Sequence, residues 1–229
     1  MLELSTEEWQ AVRLSCQVGL CAVIVSLPPA VAISYWLSRS KSRAKWLVEV
    51  MVNLPLVMPP VVTGYLLLVL LSPQGPLGRL LESALGVRIV FSWWGAALAA
   101  AVVSFPLMVR AARLSFQAFD PRLELAAQTL GASRLDSFFS VALPLARPGL
   151  LAGCVLCFAR SLGEFGATIM IAGNSPSTRT IPLAIYSFFE RPNAEEQIWR
   201  LIGISIALSA AALLATEWLE RRQALREAT

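Results

Sequence analysis

Five apolar runs constrain this sequence more than any other feature, because each is long enough to cross a lipid bilayer as a helix. A span needs about 20 predominantly apolar residues, since a helix rises about 1.5 Å per residue and the hydrocarbon core is about 30 Å thick. The sequence therefore predicts an all-α membrane protein with five transmembrane helices in one domain, residues 1–229. The spans are expected at about 14–37, 46–71, 93–113, 148–173 and 198–219.

The composition supports this class and excludes several others. Of 229 residues, 56% are hydrophobic and 15% are charged, whereas soluble domains average about 25% charged residues. Histidine is absent, which excludes imidazole catalysis and histidine-based metal sites. Cys154 and Cys157 have a spacing typical of metal or redox sites, but they lie in the apolar run LLAGCVLCFA and are interpreted as residues of a span. No catalytic or metal site is predicted, and nucleic acid is not an expected partner.

The distribution of basic residues predicts the orientation of the chain. Loops on the cytoplasmic side of a membrane carry an excess of Lys and Arg. The loop after the first span contains Arg39, Lys41, Arg43 and Lys45 and no acidic residue, and the tail RRQALREAT after the last span is also basic. We therefore expect the N-terminus outside and the C-terminus inside.

Prolines interrupt the second span. Pro55, Pro59 and Pro60 lie within NLPLVMPPVVTGY, and each removes a backbone donor and disturbs the helix. Unpaired carbonyl groups are not tolerated in lipid, so we expect this break to face protein or water. It is a candidate lining of a transport path, with Pro59 and Pro60 at its centre. A purely structural kink at a helix interface is the alternative.

Two opposite charges lie inside the fourth span. Arg160 and Glu164 in FARSLGEFGATIMIAG are four residues apart, which predicts that they share one helical face. An ionised group at the centre of a span costs about 2.5–3.5 kcal/mol on insertion scales, so the two are expected to pair or to face a hydrated cavity. A functional pair and a salt bridge that packs two helices are both open interpretations.

The segment 120–144 is predicted to be helical but is too polar to cross a membrane. Its first half begins with Asp-Pro, a helix start signal, and repeats apolar residues at helical spacing until Gly131. The second half repeats apolar residues until Pro144, which we expect to stop the helix. The segment is therefore predicted as two short amphipathic helices hinged at Gly131. It is expected at the cytoplasmic membrane surface, with one face available to a soluble partner.

Three motifs carry a resemblance to a known family. The run LELAAQTLGAS, the LPL-x-x-P that follows it and the run SLGEFGAT resemble the permease subunits of oxyanion ABC importers, most closely the molybdate branch. In that family the cytoplasmic loop docks into the ATPase subunit, and its usual acid lies six residues before the glycine. That position is Leu125 here, and the acid lies one residue earlier. The resemblance implies a docking role for Arg122, Glu124, Ala126, Ala127, Gly131, Ala132 and Arg134.

The resemblance also implies the partners of the chain. Two copies would form one central path in the bacterial plasma (inner) membrane, with two cytoplasmic ATPase subunits below and an external oxyanion-binding protein above. The sequence has no GxxxxGK[ST] phosphate loop, so ATP and Mg²⁺ are expected on the ATPase subunit. The chain itself is expected to hold no cofactor and to catalyse no reaction.

Hydroxyl groups are the expected lining for a tetrahedral dianion, because fixed charges would bind it too strongly. Helix-packing hydroxyls are the alternative interpretation of the same residues. The candidates within the spans are Thr63, Ser104, Ser161 and Thr168.

The sequence leaves the cargo and the energy source open. Molybdate is the favoured anion, with tungstate and sulfate or thiosulfate as alternatives. A secondary transporter that uses Arg160 and Glu164 as an ion-coupled relay is the rival interpretation. A membrane assembly protein whose loop binds a partner without transport is a third.

Overall fold

The computed structural model describes residues 4–227, and every regular element in that range is a helix. The first six helices are α1 (Thr6–Arg39), α2 (Lys45–Val57), α3 (Pro60–Leu71), α4 (Pro76–Leu85), α5 (Trp93–Ala118) and α6 (Arg122–Thr129). They are followed by α7 (Arg134–Ser137), a π-helical turn (Phe138–Ala142), α8 (Leu143–Leu162), α9 (Gly166–Ala172), α10 (Ile181–Phe189) and α11 (Glu195–Glu227).

The first helix is capped at its start and is not ended by its two internal prolines. The Ser5 hydroxyl accepts a hydrogen bond from the backbone N–H of Glu8, and the Glu8 carboxylate accepts one from the Ser5 N–H, a reciprocal capping box. The helix continues through Pro28 and Pro29 for 34 residues. At this length it measures about 50 Å and extends beyond the hydrocarbon core.

Small residues let α1, α5 and α8 approach closely. Ala96, Ala99, Ala100 and Ala112 of α5 are fully buried. A Cβ atom added at Gly153 of α8 would lie 3.2 Å from the Ala111 side chain and 3.3 Å from the Met108 carbonyl oxygen. The three helices therefore form the centre of the bundle, and α5 is its most buried span.

The second predicted span is broken where its prolines indicated. Helices α2 and α3 meet at Met58 and Pro59 with a bend of 110°. Pro60 occupies the first turn of α3, where its missing N–H is not needed. Four of the described helices are long and apolar enough to cross a membrane, and a fifth span is present if the bent pair counts as one.

The fourth predicted span differs from the structure at both ends. Pro144 does not stop the helix, because the π-helical turn before it carries the chain into α8 and places the proline in the first turn. The helical segment Arg134–Leu162 is therefore 29 residues long. The span then breaks at residues 163–165 before α9 begins, so the continuous helix predicted over 148–173 is wrong. The segment between α9 and α11 contains a further apolar helix, α10.

We predict that Gly64→Ala destabilises the protein. A Cβ atom at Gly64 would lie 2.6 Å from the Ala167 Cα and from the Ala167 carbonyl oxygen. Because both are backbone atoms, α3 and α9 must separate, at a cost of about 1–3 kcal/mol. Thermal unfolding in detergent measures the loss.

Gly203→Ala is the matched control, because no atom lies within 4 Å of the added Cβ in α11. Its melting temperature is expected to stay the same or rise slightly, since alanine favours a helix by roughly 0.5–1 kcal/mol over glycine. Equal melting temperatures for the two variants would contradict the tight α3–α9 contact.

Candidate functional site

The polar segment 120–144 contains the short helix α6 and, after a break at Gly131, the start of the long helical segment Arg134–Leu162. The break at Gly131 is as predicted, but the second helix is not short. Gly131 has φ +98, a left-handed conformation that L-residues rarely adopt. The second helix begins with another capping box, in which Ser133 Oγ accepts from the Asp136 N–H and Asp136 Oδ2 accepts from the Ser133 N–H. We call residues 120–142 the surface loop.

The surface loop exposes an apolar face. Leu130 is 89% exposed, Leu135 is 71% exposed and Phe139 is 62% exposed. Leu125, in α6 of the same loop, is also exposed. Large apolar side chains clustered on a surface indicate a contact with protein or lipid.

Glu124, the acidic residue of the LELAA run, points towards the bundle. Glu124 is 5% exposed, and its carboxylate accepts hydrogen bonds from Arg39 Nη2 at 2.6 Å and from the Tyr35 hydroxyl at 2.6 Å. A shift of one position rotates a side chain by about 100° around a helix. The acid at position 124 therefore faces the bundle, and Leu125 takes the outward position. Glu124 binds within the chain and does not offer its carboxylate to a partner.

Aromatic rings fix the base of the loop. Phe138 packs edge-on against Tyr35 with ring centroids 4.8 Å apart, and Phe116 packs against the same tyrosine at 5.4 Å. The Arg39 guanidinium lies 4.9 Å from the centre of the Phe119 ring. The loop is thereby joined to the ends of α1 and α5 by one buried ion pair and a ring cluster, which we call the loop anchor (Tyr35, Arg39, Phe116, Glu124 and Phe138).

The sequence did not identify the α1 side of this anchor. The sequence places Arg39 only in a basic cytoplasmic loop, and Tyr35 is not among its candidate residues. The sequence feature that could have identified the anchor is the position of Glu124, one residue before the usual acid of the motif. An acid shifted in this way faces the bundle, where it needs a cationic partner. The other predicted loop residues lie at the surface: Arg122, Ala126, Gly131 and Arg134 are exposed, and Ala127 and Ala132 are half-buried.

The intramembrane charges pair, but not on one helix. Arg160 Nη2 lies 2.9 Å from Glu164 Oε2. The shared helical face predicted for them is wrong, because α8 ends at Leu162 and Glu164 lies in the break that follows. The other carboxylate oxygen of Glu164 accepts from the Ala167 N–H at 2.9 Å and so caps the start of α9. Glu164 therefore holds the break in place.

Two of the candidate path hydroxyls, those of Ser104 and Ser161, form hydrogen bonds at the interface between α5 and α8. Ser104 Oγ donates to the Ala100 carbonyl oxygen at 2.6 Å and lies 3.0 Å from Cys157 Sγ. Ser161 Oγ donates to the Cys157 carbonyl oxygen at 2.7 Å. Both serines are buried between α5 and α8, which is the geometry of packing hydroxyls.

The remaining path candidates lie where two helix breaks meet. A Cβ atom at Gly166 would lie 3.0 Å from the Pro60 side chain, so the starts of α3 and α9 are adjacent. Thr63 and Thr168 are buried in these two helices, and Thr63 Oγ1 has no hydrogen-bond partner. Pro59 is exposed at the bend. The structure thus joins two motifs that the sequence presented separately.

Metal binding has no support within residues 4–227, where no group of three or more His, Cys, Asp or Glu side chains is arranged around a common point. Cys154 and Cys157 are free thiols in α8. Their interpretation as residues of a span agrees with this placement.

Comparison with known proteins places these features in a family. Residues 30–225 match the family described as "Binding-protein-dependent transport system inner membrane component". The chain is 51% identical over 219 residues to the molybdenum transport system permease protein ModB of Escherichia coli K12, covering 95% of this chain and 96% of that protein. It is 51% identical over 216 residues to ModB of Haemophilus influenzae, covering 94% of each.

A solved structure has a similar fold. A bacterial ABC transporter involved in the import of the acidic polysaccharide alginate matches with a TM-score of 0.67 and 15% identity, over 95% of this chain and 79% of that one. At this identity the similarity concerns the fold alone: the helices described above are arranged as in a chain of that transporter.

We predict that Glu124→Ala loosens the surface loop. The substitution leaves Arg39 without its carboxylate in a mostly buried site, which costs about 2 kcal/mol or more. Hydrogen exchange of residues 122–142 should accelerate, and the melting temperature in detergent should fall.

The double variant Arg39→Met/Glu124→Leu should recover much of the stability, because it removes both charges together. Glu190→Ala, an exposed acid in the turn after α10, is the control and should change neither measurement. Unchanged exchange in Glu124→Ala would show that the ion pair does not hold the loop.

Proposed function

Because the chain belongs to the family of binding-protein-dependent transport system inner membrane components, we propose that it is the permease subunit of an ATP-driven molybdate importer. The observation that carries the proposal is the match to molybdenum transport permeases over almost the whole chain, including the surface loop and both helix breaks. The family confirms the resemblance inferred from LELAAQTLGAS and SLGEFGAT. It also confirms the prediction of a multi-pass inner-membrane protein.

The surface loop is the proposed docking site for the ATPase subunit. Its exposed apolar side chains, Leu125, Leu130, Leu135 and Phe139, have the character of an interface centre. Arg122 and Arg134 are exposed beside them and suit a polar rim. The chain has no phosphate loop of its own, so the energy for uphill transport would enter here.

The loop anchor and α8 supply a route for motion from the docking site to the path. Glu124 is tied to Arg39, so a displacement of α6 acts directly on the end of α1. The helical segment Arg134–Leu162 runs without a break from the loop to the Arg160–Glu164 pair. Movement of α7 would therefore reach the break beside α9, where a gate can open or close by rigid-body displacement.

The transport path is proposed to form between two copies of the chain. Helix α2 has no buried residue, and α2 and α3 expose large apolar side chains such as Leu54, Val57 and Tyr65. A second copy would cover part of this face and enclose the adjacent breaks at Pro59 and Glu164. This arrangement supports Pro59, Pro60, Thr63 and Thr168 as path candidates over Ser104 and Ser161.

The proposed orientation places the surface loop and the basic loop 40–44 inside, with the N-terminus outside and the C-terminus inside. The opposite side of the bundle would receive an external oxyanion-binding protein. Polar groups are concentrated there: Arg191 Nη1 pairs with Glu7 Oε2 at 2.8 Å, and Arg200 Nε pairs with Glu8 Oε1 at 2.8 Å. ATP and Mg²⁺ belong to the ATPase subunit in this proposal.

The docking proposal predicts that Gly131→Trp prevents assembly with the ATPase. Membrane insertion should be unaffected, because no atom lies within 4 Å of the added Cβ. The φ of +98 is strained for tryptophan, and the indole would intrude on the docking face. Co-purification of the ATPase should fall by about tenfold or more, as for the loss of an interface hot spot.

Gly86→Trp is the matched control, since Gly86 has φ +64, no atom within 4 Å of its Cβ position, and a place at the end of α4 on the opposite side. The control should retain the ATPase at the wild-type level. Normal recovery of the ATPase with Gly131→Trp would reject docking through this loop.

The energy source predicts a second result. In ATP-loaded vesicles that contain the assembled importer and its external binding protein, molybdate uptake should require ATP and should continue when a protonophore is added. The double variant Arg160→Gln/Glu164→Gln should retain most of the uptake, because it leaves neither charge unpaired and the glutamine amide oxygen at position 164 can still accept the Ala167 N–H and cap α9.

Collapse of uptake by the protonophore, or in the double variant Arg160→Gln/Glu164→Gln, would favour the ion-coupled relay instead. Excess tungstate and excess sulfate, added separately, test the cargo. Strong competition by sulfate would move the assignment to the sulfate branch, and absence of uptake under all conditions would favour an assembly protein.

A further inference from the structure

An apolar groove opens on the side of the bundle between α1, α2 and α5. Its volume is about 440 Å³. Pro29 of α1, Met51 and Val52 of α2, and Val102 and Phe105 of α5 are among its lining residues. Apart from Ser26, every residue that lines the groove is apolar. The groove therefore suits a hydrocarbon chain and offers nothing to an oxyanion.

A polar pocket of about 260 Å³ adjoins the groove at Val52, which lines both. Arg110, Arg113 and Glu49 line this pocket. Arg113 Nη1 pairs with Glu49 Oε1 at 2.8 Å, but Arg113 Nε is buried and has no hydrogen-bond partner. Buried polar atoms are rarely left unpaired, so the free Nε indicates an acceptor that the chain does not provide.

The charges of the pocket favour an anion. Two guanidinium groups face one carboxylate, which leaves a positive balance. The Arg110 side chain is exposed, so it can reach a group bound at the mouth of the pocket. Guanidinium groups form strong, often bidentate, hydrogen bonds with phosphate.

The position of the pocket corresponds to the level of lipid headgroups. Arg113 lies in the last two turns of α5, and Leu37, another lining residue, lies near the end of α1. Both are at the end of the bundle that carries the basic loop 40–44. The groove runs from there to Pro29, in the interior of α1, as an acyl chain runs from its headgroup into the membrane.

We propose that the groove and the pocket together bind one anionic phospholipid from the leaflet that faces the basic loop. The phosphate lies between Arg110 and Arg113, and an acyl chain fills the groove between α1, α2 and α5. Basic pockets between transmembrane helices are a recognised setting for anionic headgroups. Continuity between the polar and apolar parts distinguishes this occupant from a free oxyanion, which would use the pocket alone.

Native mass spectrometry of the assembled importer tests the proposal, with the complex taken from vesicles that contain equal amounts of phosphatidylglycerol and phosphatidylcholine. Phosphatidylglycerol should be retained in preference to phosphatidylcholine. Arg110→Gln should lower this preference by about fivefold, the effect of removing one cation near an anionic headgroup.

Glu49→Gln should raise the preference for phosphatidylglycerol, because it removes the carboxylate that competes for Arg113. An increase cannot result from misfolding, so the opposite signs of the two variants keep the test informative. Arg43→Gln, an exposed cation in the basic loop outside the pocket, is the matched control and should leave the retained lipid unchanged.

A third variant examines the groove. Val102→Trp fills it with an indole and should displace the lipid while the pocket charges remain. Equal retention of the two lipids by the wild type, a change of the same sign in Arg110→Gln and Glu49→Gln, or wild-type retention by Val102→Trp would each overturn the proposal. Cross-linking of a photoreactive residue at Val102 to a second copy of the chain would also overturn it.

Discussion

The buried ion pair between Glu124 and Arg39 is the contact on which the proposed coupling depends. A carboxylate and a guanidinium at 2.6 Å, held beside the Tyr35 hydroxyl, join a short surface helix to the end of a helix about 50 Å long. Removing either partner leaves the other charge in a mostly buried site, which is costly. The surface loop is therefore fastened to the bundle at its base, while its apolar side chains remain outward.

The second structural theme is the meeting of two broken helices. Lipid tolerates a broken helix only where protein or water satisfies the freed backbone groups. At the first break, Pro60 lies in the first turn of α3, where a backbone N–H would have no partner within the helix, so the N–H that proline lacks is not missed. At the second break, the Glu164 carboxylate accepts a hydrogen bond from the Ala167 N–H and caps α9. Gly64 and Gly166 let the two short helices pack backbone to backbone. A long helical segment, Arg134–Leu162, ends beside this junction, so the surface loop and the breaks share one continuous element.

Much of this architecture could be predicted from the sequence, because transmembrane helices follow from length and apolar composition alone. The break at Pro59 and the hinge at Gly131 were predicted because proline and glycine limit the backbone locally. The continuation of the helix through Pro144 was not, since it depends on a π-helical turn that has no clear sequence signal.

The contacts of the site were harder to predict, because they join distant parts of the chain. Glu124 and Arg39 are 85 residues apart, and the pairing is a property of how α6 lies on α1. The sequence predicted that Arg160 and Glu164 pair. The role of Glu164 as the cap of α9 could not be predicted, because it depends on where α8 ends. The sequence allowed Ser104 and Ser161 either to line a transport path or to pack two helices together. Their hydrogen bonds between α5 and α8 favour helix packing.

The most direct test of the central claim is photo-cross-linking from Leu130 in native membranes. Leu130 is 89% exposed at the tip of the surface loop, and a photoreactive residue there should capture the ATPase subunit. The same residue at Leu80, exposed on α4 at the other side of the bundle, should not. Capture of the ATPase from Leu80, or capture of only an external protein from Leu130, would contradict the account.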